Sequence, residues 1–81
     1  MRYKGVELTN EMYNEIKEIL YNYYGATRIK KFTSIQYDNK NIKQNIILIK
    51  IDYISSLNVK GSIKLPSDTF HQIMNRVTES R

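Results

Sequence analysis

Ile46-Ile47-Leu48-Ile49-Lys50-Ile51-Asp52-Tyr53-Ile54 decides how this chain folds. Ile47, Ile49, Ile51 and Tyr53 recur at every second position with Lys50 and Asp52 between them, the period of a strand that turns one face to a core. The strand is expected to span 42–54. Upstream, 27–37 shows the same period, and Asp38-Asn39-Lys40-Asn41 has the short polar residues of a turn, so the two runs predict a hairpin. Ser55, Ser56 and Asn58 interrupt the pattern, 59–65 resumes it as a third strand, and Pro66 ends it.

The flanking segments change to helical spacing. Thr9 is a good N-cap, Leu8 is placed to staple onto Tyr13, and Gly25 supplies a left-handed stop, so a helix is expected over 10–24. Its apolar stripe is Met12, Ile16, Ile19 and Tyr23, flanked by Tyr13, Leu20 and Tyr24. A second, shorter helix follows Pro66 with Ser67 or Asp68 at its start and Phe70, Ile73, Met74 and Val77 as its stripe, fraying from Thr78. Residues 1–8 either add a strand or lie across the sheet. The chain is thus expected to be a single α+β domain, 1–81: helix, three-stranded antiparallel sheet, helix, with both helices on one sheet face.

Alternation sorts the sheet residues into two sets. Ile29, Ile35, Tyr37, Ile47, Ile49, Ile51, Tyr53, Val59, Ile63 and Leu65 are expected to face the helices. Arg28, Lys30, Phe32, Ile46, Leu48, Lys50, Lys60 and Lys64 are expected on the opposite face, an assignment that any β-bulge would alter. This mixed apolar and basic face is the expected partner-binding surface.

Composition limits the chemistry. Eighty-one residues without cysteine and with one histidine, His71, offer no thiolate zinc site and no histidine cage. No titratable pair has the spacing of a catalytic acid and base, so the expectation is a non-enzyme without cofactor or metal. Glu11, Glu15 and Glu18 share a helix face, read as a solvated acidic stripe or a secondary contact for a basic protein. His71 is expected beside its helix stripe, half-exposed, within a turn of Asp68. Of seven tyrosines, only Tyr3 and Tyr21 fall outside packing positions.

The order helix, three strands, helix resembles that of double-stranded-RNA-binding domains over roughly 9–78. Those domains open their second helix with phosphate-binding lysines, where this chain has Ser67, Asp68 and Thr69, so the resemblance is one of topology. The net charge of +5 agrees with a nucleic-acid partner. Ile, Lys, Asn and Tyr nevertheless make up 36 of the 81 residues, and their AT-rich codons account for part of the lysine excess. The same bias predicts a low-GC bacterial, phage or plasmid origin and, without a long apolar segment, a cytoplasmic protein with no membrane contact.

Two functions follow as expectations. The first is a small inhibitor or accessory factor of a phage or mobile element that binds a nucleic-acid-handling host or defence protein, as anti-CRISPR proteins do. The alternative is direct nucleic-acid binding through the basic sheet face. A homodimer is compatible with either, since small domains gain buried area by pairing.

Overall fold

The computed structural model describes residues 2–43 and 46–79. Its elements are β1 (Arg2–Tyr3), β2 (Val6–Glu7), α1 (Asn10–Tyr23), β3 (Ile29–Lys43), β4 (Ile46–Ser55), β5 (Lys60–Pro66) and α2 (Ser67–Glu79). The expected α+β class is present: two helices cover an antiparallel sheet of order β3-β4-β5, beside a separate two-stranded ribbon, β1-β2.

Helix α1 begins where a side chain can satisfy its free N–H groups, for the Met12 amide donates to Thr9 Oγ1 at 3.2 Å. It ends at Tyr23 with Tyr24 as its cap, and Gly25 follows at a φ of 70°, strained for residues other than glycine, so that the Ala26 amide returns to the Leu20 carbonyl at 3.1 Å. Met12, Ile16 and Leu20 are buried at a strict spacing of four. In α2, Phe70, Ile73, Met74 and Val77 are buried, as their spacing predicts. The helix runs to Glu79, beyond the expected fraying point, with Thr78 Oγ1 donating to the Met74 carbonyl at 2.8 Å.

Between helices and sheet lies one apolar cluster, in which Leu20, Ile51, Met74 and Val77 are fully enclosed. Burying each such side chain contributes about 1.5–3 kcal/mol. The inward phase expected for β4 is observed at Ile49, Ile51 and Tyr53, and that of β5 at Leu65 and, partly buried, at Ile63.

Three expectations need correction. The expected turn at 38–41 lies inside β3, which continues to Lys43, so Ile42 belongs to β3 and β4 starts at Ile46. Tyr37, Ile47 and Val59 have the inward phase but lie exposed, because the helices do not extend over the two ends of the sheet. The N-terminal residues neither add a strand to the main sheet nor lie across it. They form their own ribbon, with Arg2 opposite Glu7 and Tyr3 opposite Val6, closed by Lys4 and Gly5, both at positive φ.

That ribbon packs on the helical side. The buried Tyr3 ring lies edge-on to Phe70 and stacked on His71, and its hydroxyl lies 2.8 Å from His71 Nδ1 and 3.3 Å from Asn75 Oδ1. The far sheet face is therefore not covered by the N-terminus.

Candidate functional site

The pairing of β3, β4 and β5 sets out the far face as four cross-strand rows. Asp38, Leu48 and Pro66 form the first, Gln36, Lys50 and Lys64 the second, Ser34, Asp52 and Ser62 the third, and Lys31, Ile54 and Lys60 the fourth. In the middle of the face the charges cancel. Lys64 Nζ lies 3.0 Å from the nearly enclosed carboxylate of Asp38, and Lys50 Nζ lies 3.8 Å from Asp52. Such pairing lowers the field a phosphate backbone would meet. Leu48 is half-buried and Ile46, which faces Lys43 at the start of β4, is exposed.

Phe32 is not on this face. Two β-bulges in β3, between Ile29 and Lys31 and between Phe32 and Ser34, each place two residues opposite one on β4. The first bulge brings Phe32 opposite Tyr53, on the core side, where it packs against Tyr13 with ring centroids 6.1 Å apart. The second restores Ile35 to the inward set. Lys31 takes the outward place instead, and no aromatic ring remains among the described residues of the four rows.

Two cations also leave this face, Arg28 by lying outside the strand and Lys30 by the first bulge. Arg28 lies before β3 and turns to α1, with its guanidinium 4.5 Å from the Tyr21 ring centre and 3.9 Å from Glu18. Lys30 is the extra residue of the first bulge; its amine donates to Asn58 Oδ1 at 3.2 Å, and its carbonyl accepts from Lys17 Nζ at 2.8 Å. Of the expected surface residues, the structure brings Ile46, Leu48, Lys50, Lys60 and Lys64 onto one face and takes Arg28, Lys30 and Phe32 elsewhere.

A second surface escaped the sequence reading. The β4–β5 connection, 56–59, is held by Ser55: its buried hydroxyl accepts from the Leu57 and Val59 amides at 3.3 and 3.2 Å, while Asn58 takes the left-handed conformation at φ 62°. This tight loop projects Leu57, 84% exposed, and leaves Val59 61% exposed. Together with Tyr21, Thr27, Arg28, Tyr53, Lys60 and Gly61 they line a groove of about 610 Å³ beside the C-terminal end of α1. Isolated polar-flanked Leu57 and the period-two reading of Val59 concealed it, since neither indicates that the helices stop short.

The tyrosines are distributed differently from expectation. Tyr3 is buried, whereas Tyr23, Tyr24 and Tyr37 are exposed, Tyr23 to 73%. Tyr23 and Tyr24, with Ile19, Gln72, Ile73 and Arg76, line a smaller groove between the helices. His71 is half-buried as expected, and its close partner is Tyr3 rather than Asp68.

On the acidic face of α1, Glu18 pairs with Arg28, and no group of three His, Cys, Asp or Glu among the described residues is arranged to hold a metal ion. No helix among the described residues is long and apolar enough to cross a membrane. Comparison with protein-family models, with curated proteins and with solved structures finds no match to this chain.

Proposed function

We propose that this chain is a non-catalytic protein-binding module, an inhibitor or accessory factor acting on a partner protein. The observation that carries the reading is the far sheet face: the N-terminal ribbon does not cover it, Leu48, Ile54 and Pro66 lie on it without a stacking ring, and its central cations are matched by Asp38 and Asp52. Single-stranded nucleic acid is generally bound on aromatic platforms within a positive groove. Aliphatic side chains among balanced charges suit a protein surface better, because desolvating them favours association while the charged pairs set register.

The composition supports a further step, that the chain belongs to a phage or mobile element of a low-GC host and acts on a nucleic-acid-handling or defence protein, in the manner of anti-CRISPR inhibitors. Expression in a host with an active defence system then protects an incoming phage, and unchanged plating efficiency removes that step.

The binding reading is tested with the variant carrying Ile46→Lys and Leu48→Lys. Immobilised wild-type chain captures a specific protein from host extract, and the double variant, with unchanged circular dichroism and melting, does not. Equal capture by both proteins excludes the sheet face. The alternative, direct nucleic-acid binding, draws on Arg28, Lys30, Lys31 and Lys60, which gather toward the β4–β5 loop end.

A further inference from the structure

The groove at the β4–β5 loop differs in kind from the sheet face. Its floor is the Tyr53 ring, which lies against Gly61: a Cβ at that glycine would come within 2.7 Å of ring atoms Cε2 and Cζ, so only a bare backbone leaves the ring this position. Thr27 Oγ1 donates to the Tyr53 hydroxyl at 3.4 Å. The rim carries Leu57 and Val59, the two most exposed aliphatic side chains among the described residues. Rigid floor and exposed apolar rim are the ingredients of an anchor site for one large side chain.

Its charge is one-sided. Among the described residues no Asp or Glu lines the groove, whereas Arg28 and Lys60 do. Lys60 has no ion-pair partner among the described residues, in contrast to Lys50 and Lys64. Arg28 meets Glu18 only at 3.9 Å across an exposed gap, so its charge remains accessible.

Resting on the protein-binding reading, we infer that this groove takes an acidic segment of the partner protein, with one large apolar or aromatic side chain seated between Leu57, Val59 and Tyr53 and flanking carboxylates on Arg28 and Lys60. The apolar anchor supplies the affinity, and the cations choose an acidic context over a basic one.

The test is selection of a random peptide display library on the whole chain, followed by binding of the selected synthetic peptides to variants. Enriched peptides are expected to hold an aromatic or large aliphatic residue among Asp and Glu. Their affinity falls about tenfold or more with Leu57→Ser, and likewise with Lys60→Glu, and weakens with added salt. Both positions are exposed, so unchanged melting of the variants separates binding from folding. Three results overturn the inference: no enrichment, enrichment of neutral or basic peptides, or binding indifferent to both substitutions. An oligonucleotide bound through Lys31 and Lys60 irrespective of Leu57 also overturns it, in favour of nucleic acid. If the groove fails while Ile46→Lys with Leu48→Lys still abolishes capture, the sheet-face reading stands alone; if the wild-type chain captures no protein, the protein-binding reading itself falls.

Discussion

Gly61 and Phe32 are the residues on which the local geometry depends most. At Gly61 the constraint is contact, not dihedral angle: its partner across the ladder is Tyr53, and that ring occupies the space of a β-carbon. Gly61→Ala is expected to cost about 1–3 kcal/mol, the range of an overpacked core, and to disturb the groove, as read by chemical denaturation. For Phe32 the decisive comparison is with its neighbour. Phe32→Ala should destabilise by about 2–4 kcal/mol and Lys31→Ala by less than about 0.5, because the bulge sends one ring to the core and one amine to solvent. Equal effects would show that the strand lacks this bulge. Neither residue's role is visible from its type alone, for a bulge adds one residue to the count and leaves no composition signal.

Among the elements, α1, α2 and β4 were legible because each carries its own boundary chemistry and an unbroken period: Thr9 and Gly25 delimit one helix, Pro66 precedes the other, and Ile49, Ile51 and Tyr53 keep strict alternation. Strand β3 was not. Asp38 to Asn41 look like a turn, yet they are drawn into a long strand, where Asp38 finds Lys64 across the sheet. That pairing spans two strands, which local propensity does not report. The outward phase was read correctly along β4 and β5 and wrongly at Lys30 and Phe32 of β3. For the same reason Tyr23, which lies on the helical stripe, is exposed: periodicity gives direction and not the extent of the neighbouring sheet. The N-terminal ribbon offers a further test. Tyr3→Phe removes the hydroxyl shared by His71 and Asn75 and should cost about 0.5–1.5 kcal/mol, with Tyr3→Ala costing more through the lost ring, measured by thermal or urea melting. An unchanged Tyr3→Phe variant would mean that the hydroxyl is equally well served by water.

Across the whole molecule, a net charge of +5 is spread unevenly, with balanced pairs in the middle of the sheet and, toward one end, Lys31 and Lys60 without an ion-pair partner among the described residues. Labelled single- and double-stranded DNA and RNA should therefore bind weakly, with anisotropy signals that vanish as salt rises to physiological strength. Binding that persists there and prefers one nucleic-acid form would move the function to the alternative. One further consequence follows from Tyr3. Its partners, Phe70, His71 and Asn75, lie nearly at the opposite end of the chain, so during synthesis on the ribosome the first strand has nothing to dock against until the last helix has emerged. The β3–β4 pairing joins residues close in sequence, whereas the apolar seam beneath the ribbon joins residues about seventy positions apart and needs α2 to be present before it can close.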